Sequence, residues 1–313
     1  GTGTNITLWT REDKVYRITP RQNDAVNSCW MPDSHRLNYK YINAETRIPQ
    51  PVIRTDAEAP HRPSTWEPAL ASAAEAVKRI APNQLAIIAS GRMTNEELYM
   101  VRHLAAQIGT DMVDIVPRMG ESDGMLISAD RNPNTNGARL VLDIEPGSRL
   151  DAIREGVRSG SIKGILSLGE DLISPEAGFT AEDLDKLDYL FMTAHSANET
   201  ARHADLVLPG VTYAEKFGTM INVTGRIQRL NRAIQPIGYA RDDWQIFRDI
   251  TLLLGGNPAL KDFNSALDIL TAMSTEYGAL NGVSWGSIGD GGQPILETGV
   301  TIPVVEREKN QGR

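Results

Sequence analysis

The sequence predicts an α/β protein built on an open, mostly parallel sheet with helices on both faces, preceded by a small β domain. Three observations lead there. Short, near-continuous apolar runs alternate with longer segments of helical period over most of the chain. Strands buried on both faces read that way, because the helical crossovers of a parallel sheet cover both of its sides. The opening residues break this pattern and carry a hairpin signal instead. The length of 313 residues lets the chain bury roughly three quarters of its unfolded surface, enough for a sizeable core and two or more domains. The expected division is a small β domain at 1–55, an α/β domain at 56–260, and a helix with a loosely ordered tail at 261–313.

The elements follow in order. Ile6 to Thr10 and Val15 to Thr19 flank a Glu12-Asp13 turn, which reads as a β-hairpin. Residues 49–65 hold Pro49, Pro51, Pro60 and Pro63 among charged residues and read as a linker. Ser64 with Glu67 makes a capping box, opening a helix whose apolar face is Leu70, Ala74, Val77 and Ile80. A strand follows at Leu85 to Ala89. The Ser90-Gly91-Arg92 turn after it lacks the further glycines of a dinucleotide loop, and no Gly-Lys-Ser/Thr follows, so it reads as a strand-to-helix turn. Thr94 and Glu97 form a second capping box for a helix reaching Ile108, with Gly109 at the C′ position. Met112 to Val116 reads as the next strand.

Residues 128–138 are polar and turn-rich, either an ordering loop or a plain surface connection. Arg139 to Asp143 reads as a strand, Leu150 to Val157 as a helix, and Ile162 to Leu168 as a strand. Gly169-Glu170-Asp171 then stands at a strand's carboxyl end, where open α/β sheets place their ligands. Leu187 to Met192 is a strand, residues 197–203 a helix, and Asp205 to Pro209 a buried strand stopped by proline. Asp242 or Asp243 caps a helix with the stripe Trp244, Phe247, Ile250, Thr251 and Leu254, ended by Gly255-Gly256. A last helix spans about 264–277, and the Gly-rich, Pro-broken remainder is expected to be loosely ordered.

Composition excludes several function classes. The net charge of −8 argues against non-specific nucleic-acid binding, and no apolar run is long enough to span a bilayer. With no signal peptide visible, a soluble, cytosolic chain is expected. It opens on Gly1, as a processed chain or a fragment would. The single cysteine, Cys29, permits no internal disulfide and no four-thiolate iron–sulfur cluster, and reads as a small buried apolar filler. His195, Glu199 and His203 stand at i, i+4 and i+8. On a helix the two histidines would lie about 12 Å apart, too far to share one zinc at roughly 2 Å per bond.

The stretch from Thr193 to Arg232 carries a family fingerprint. Thr200, Ala201, Ala204, Asp205, Leu208, Pro209, Glu215, Gly218, Thr219, Asn222, Gly225, Arg226 and Gln228 resemble the molybdopterin oxidoreductase pattern at its spacing, with Thr224 where the family usually has Glu. The opening residues resemble the small iron–sulfur domain of that family, in particular of the large iron–sulfur subunit of NADH:quinone oxidoreductase (respiratory complex I). There Thr4, in Gly3-Thr4-Asn5-Ile6, stands at a ligand position, and Pro32, after Val26-Asn27 and Trp30, stands at the last one. Neither offers a soft thiolate. In the loop where catalytic relatives place the metal ligand beside an Arg, Arg118 is followed by Met119 and Gly120, and Ser122 is out of register. Thr193-Ala194 replaces the acidic residue that commonly holds the guanosine ribose.

The resemblance implies a formate dehydrogenase/DMSO reductase type of α/β architecture. Its leading functional implication is a non-catalytic structural subunit or fragment of the peripheral arm of a complex I, with no cofactor of its own. Other subunits of an NADH dehydrogenase would be its partners, at a cytoplasmic site peripheral to the inner membrane. The alternative is a formate dehydrogenase-like catalytic subunit binding molybdopterin guanine dinucleotide through Gly169, Asp171, Glu215 and Asn222, with a 4Fe-4S cluster. The residues by themselves leave Asp205 and Glu215 open to a second reading, as turn or helix-end carboxylates. A pterin-free nucleotide-binding module is a third possibility, resting on fold analogy alone.

Overall fold

The computed structural model describes residues 1–54 and 59–311. The expected domain boundary at 55/56 and part of the expected linker and tail lie outside the described residues. The hairpin forms from β1 (Ile6–Arg11) and β2 (Lys14–Pro20). Glu12 and Asp13 both take left-handed backbone (φ 52° and 54°), the twist a two-residue turn needs to keep its strands together. Asn43 ties the second strand down, donating to Val15 O at 2.7 Å and accepting from Val15 N at 3.2 Å. A short helix, α1 (Asp33–Leu37), follows the loop that carries Cys29. Cys29 is exposed, correcting the expected buried filler: Asn27, two residues earlier, takes the interior position.

The expected linker contributes β3 (Val52–Ile53) and β4 (Arg62–Pro63), antiparallel strands at one edge of the main sheet, where proline costs no central hydrogen bond. Helix α2 (Trp66–Arg79) starts one residue later than the Ser64 capping box implies. Thr65 is its N-cap, and the N3 residue is then Pro68, which has no N–H for the cap hydroxyl to accept. Then come β5 (Leu85–Ala89) and α3 (Asn95–Ile108). Both halves of the Thr94–Glu97 box are made, at 3.2 and 2.8 Å, and Gly109 closes the helix at φ 80°.

After β6 (Val113–Ile115) the structure departs from the sequence reading. The run expected as a strand at 139–143 is the end of a helix, α4 (Thr135–Leu142), stopped by Asp143 in left-handed backbone. A short apolar run does not separate strand from helix by period alone. Here Ala138 and Val141, three residues apart, face one side and join the core formed with α3. The chain continues through α5 (Leu150–Ser159), β7 (Gly164–Leu168), α6 (Ala181–Leu184), β8 (Tyr189–Ala194), α7 (Glu199–His203) and β9 (Leu206–Pro209). The hairpin β10 (Gly218–Ile221) and β11 (Arg226–Leu230) covers the second half of the fingerprint. The helices α8 (Asp243–Leu253), α9 (Ala266–Glu276) and α10 (Trp285–Ile288), strand β12 (Gln293–Pro294) and helix α11 (Pro303–Gln311) complete it.

The main sheet has seven strands in the order β4-β3-β9-β8-β7-β5-β6, and β6, β5, β7, β8 and β9 run parallel. Because side chains alternate along a strand, each central strand feeds two cores. Leu85, Ile87, Leu166, Leu168, Phe191, Leu206 and Leu208 pack with α2, α3, α8 and α9. Ala86, Ile88, Ile165, Leu190, Met192 and Val207 pack with α5, α6 and α7. Strand β11 joins β10 and β12 in a separate three-stranded sheet. The tail is packed rather than loose: Ile302, Val304 and Val305 cluster with Val26 and Leu126. No helix among the described residues is long and apolar enough to cross a membrane.

Candidate functional site

Read along the sheet, the parallel strands run outward in both directions from β5 and β7. That reversal makes their carboxyl ends the crevice where such sheets bind ligands. The loops that follow β5 and β7 meet there. A Cβ on Gly169, which sits at φ 72°, would lie 3.6 Å from both Met93 Cε and Ser90 Cβ. Gly91 is packed so closely that a Cβ would come within 2.6 Å of Asn132 Cγ. The neighbouring loop after β6 sends Arg118 to Glu170, with N–O distances of 2.5 and 3.0 Å and the carboxylate fully buried. Asp171 turns the other way: Oδ1 accepts from Thr200 Oγ1 at 2.6 Å and from Thr200 N at 3.3 Å, tying the crevice loop to α7. Asn132 donates to Val116 O at 2.9 Å, while its buried Oδ1 has no partner among the described residues.

Glu215 is buried. Its Oε1 and Oε2 accept from Arg47 Nη2 at 2.9 and 2.7 Å, and Oε2 also accepts from Thr212 N and Oγ1 at 2.7 and 2.8 Å. Arg47 in turn donates to Ile42 O and His195 O, so one buried ion pair joins the amino-terminal unit to the sheet. Next along the fingerprint, Lys216 Nζ reaches both oxygens of Glu97 at 2.8 and 2.9 Å, inside the protein. Thr219 donates its N–H and its hydroxyl to Glu96, both at 2.8 Å. Among the described residues no cation pairs with Glu96, and burial pushes its pKa up to about 7 against the pull of the Thr219 hydrogen bonds. Asp243, also buried and beside Glu97, is likewise raised.

Asn222 faces the amino terminus. Its Nδ2 donates to Thr2 O at 2.9 Å, and Oδ1 accepts from Thr224 N, Thr224 Oγ1 and Arg226 N. Asp205 accepts from Leu190 N at 2.8 Å and pairs with Arg54, a strand-end role. His195 packs against Tyr41 with ring centroids 5.4 Å apart and the ring planes tilted by 39°. Burial, with Arg47, Lys216 and Arg92 nearby, lowers its pKa to about 4, so the ring is neutral at pH 7. His203 bonds Asp185 and Glu199 bonds Arg202, and α7 begins only at Glu199, which removes the one-helix geometry of that triplet.

Of the four residues singled out for a dinucleotide, only Gly169 and Asp171 stand at the crevice. Glu215 and Asn222 are buried and bonded within the protein, so these four do not fit a dinucleotide as one set. The amino-terminal loops do not fit a four-thiolate cluster either: Thr4 and Pro32 occupy the ligand positions, and Cys29 points outward. Among the described residues no group of His, Cys, Asp and Glu could hold a metal ion. Met119, beside Arg118, is exposed. Sequence reading missed Arg47 and the Glu97–Lys216 and Glu96–Thr219 contacts. Only the capping box hinted at them, by placing Glu96 and Glu97 in the first turn of α3.

Comparison with known proteins gives the context. Residues 131–251 match the Molybdopterin oxidoreductase family. Residues 1–40 match the family described as NADH-ubiquinone oxidoreductase NDSU1/NuoG-like, 4Fe-4S domain. A putative formate dehydrogenase of Staphylococcus haemolyticus is 32% identical over 144 residues, 45% of this chain and 15% of that protein. The NADPH-Fe(3+) oxidoreductase subunit alpha of Geobacter sulfurreducens is 33% identical over 136 residues, 43% of this chain and 16% of that protein. The match therefore spans about a sixth of each curated relative's length. The fold is similar to that of acetylene hydratase from Pelobacter acetylenicus, with TM-score 0.67 and 9% identity over 90% of this chain and 71% of that one. The fingerprint and these matches identify a molybdopterin oxidoreductase domain over residues 131–251 and a segment of the NuoG-like 4Fe-4S domain type at residues 1–40.

Proposed function

We propose that this chain is a non-catalytic, structural part of an NADH:quinone oxidoreductase-type complex, supporting electron transfer carried by clusters outside it. The observation behind this reading is the donor set. Oxygen and imino-acid residues, Thr4 and Pro32, stand at the cluster positions, and the fingerprint residues Glu215 and Asn222 are engaged inside the protein. A scaffold of this kind contributes packing and partner surface. The NuoG-like match of residues 1–40 supports the choice of complex, with other subunits of an NADH dehydrogenase as partners and a cytoplasmic location peripheral to the membrane.

A second reading, a formate dehydrogenase-like catalytic subunit, draws on the name of the staphylococcal relative and on Gly169 and Asp171 at the crevice. Metal analysis for molybdenum and iron, with fluorescence of the oxidised pterin, separates the two. The structural reading expects neither molybdenum nor pterin above background and no [4Fe–4S] signal in the reduced protein. Stoichiometric molybdenum and pterin would replace it with the second.

A further inference from the structure

We propose that a lattice of side-chain amides does the cross-linking in the amino-terminal loops that iron does in a cluster domain, so that these loops close without metal. A 4Fe-4S cluster joins distant loops by bonding thiolates from each. Here the loop at Thr4 and the loop at Pro32 are joined by asparagine and glutamine.

Asn27 is the centre. It is fully buried. Its Oδ1 accepts from Asn5 N at 2.9 Å, reaching across to the residue after Thr4. Its Nδ2 is shared among Arg21 O at 3.2 Å, Ser28 O at 3.3 Å and Trp30 O at 3.0 Å, which fixes the approach to Pro32. Asn23 Nδ2 donates to Asn5 Oδ1 at 3.1 Å and to Gly291 O at 3.1 Å. Gln228 Nε2, from β11, donates to Gly3 O at 2.9 Å and to the same Asn5 Oδ1 at 3.0 Å. Asn222 holds Thr2 O from the β10–β11 turn.

The packing around the lattice is close. A Cβ on Gly3, at φ 76°, would fall 2.1 Å from Gln228 Oε1 and 2.9 Å from Asn222 Cβ. Each amide offers both a donor and an acceptor, so a chain of them can satisfy buried backbone groups on several loops at once. Two fingerprint residues, Asn222 and Gln228, thereby act as positioning residues for the amino-terminal loops. The inference rests on this geometry and holds whether or not the chain serves in an NADH dehydrogenase.

The test is hydrogen exchange on the full chain, purified with chelator, alongside the same chain treated anaerobically with ferrous iron and sulfide. The variants Asn27→Asp and Gln228→Glu keep size and acceptor oxygens but remove the N–H donors. Residues 1–32 are expected to be protected in chelator and unchanged by iron and sulfide. In each variant they should exchange roughly 10- to 100-fold faster, from the loss of donors to buried carbonyls, while β5, β7 and β8 keep the parent rate. If Asn27→Asp leaves the loops unfolded, Gln228→Glu, at a half-buried site, supplies the graded readout. Cys29→Ser should match the parent. The proposal is overturned if residues 1–32 gain protection only with iron and sulfide, or if both variants exchange like the parent. The test measures protection in the absence of any pterin or partner, so it can fail while the structural-subunit reading stands, and the reverse.

Discussion

At the scale of single residues, the buried carboxylates decide most. Glu215 and Arg47 have almost no exposed side-chain surface, and removing one leaves the other charged and unpaired. Arg47→Ala is expected to cost about 3–5 kcal/mol, read as a lower urea midpoint with an unchanged slope. Glu96 sets a pH dependence. Its pKa is raised from the usual 4.5 to about 7 by burial, so between those values the folded state holds the proton more tightly than the unfolded chain. Stability from this group is full below the unfolded pKa and is lost as pH rises through about 7. Glu96→Gln should therefore flatten the fall in melting temperature between pH 5 and 8; a fall as steep as the parent's would refute the assignment. His195 works in the opposite sense: lowered from 6.5 to about 4, it takes its proton first in the unfolded chain, so its contribution to stability rises with pH up to about 6.5, and the difference between Glu96→Gln and the parent, in which His195 is common to both, isolates Glu96.

At the scale of elements, the two helix starts make a matched pair. Thr94 accepts from Glu97 N and opens α3, whereas Ser64 caps nothing at α2. Thr94→Ala should cost about 1 kcal/mol, and Ser64→Ala should stay within about 0.5 kcal/mol of the parent; thermal unfolding of both checks it. The hairpin and the capped helix could be read from the sequence because their signals are local. The Glu12-Asp13 turn and the Thr94-x-x-Glu97 box act within a few residues. The segment 139–143 could not be read, because its apolar run suits a strand or a helix. What selects the helix is the α3 surface against which Ala138 and Val141 pack, and Asn134, whose amide bonds Met93 O and Asn95 Oδ1.

At the scale of the whole molecule, the fingerprint binds parts of the fold to one another. Glu215 holds the segment at Arg47, Lys216 and Thr219 hold the start of α3, and Asn222 and Gln228 hold the first residues of the chain. The carboxyl-terminal α11 closes over the other side of those residues through Val304 and Val305. Val304→Asp would bury a charge against Val26 and Leu126 and should loosen residues 1–32 to limited proteolysis while the parallel sheet stays resistant. Equal cleavage of both regions would mean that the tail supports the whole body and not the amino-terminal unit.

The sequence by itself determined the fold class, most of the strands and helices, and the resemblance to molybdopterin oxidoreductases, because hydrophobic period, caps and spaced fingerprint residues are properties of the local chain. It also determined that no four-thiolate cluster can be built from one cysteine. Only the tertiary structure decided what the fingerprint side chains touch. Glu215 could have faced a ligand or an arginine, and its neighbours in sequence carry no sign of Arg47, which lies far away in the chain. Long-range pairing of buried charges and amides depends on which loops the sheet order brings together, and that order is settled by the packing of the two cores on either side of it.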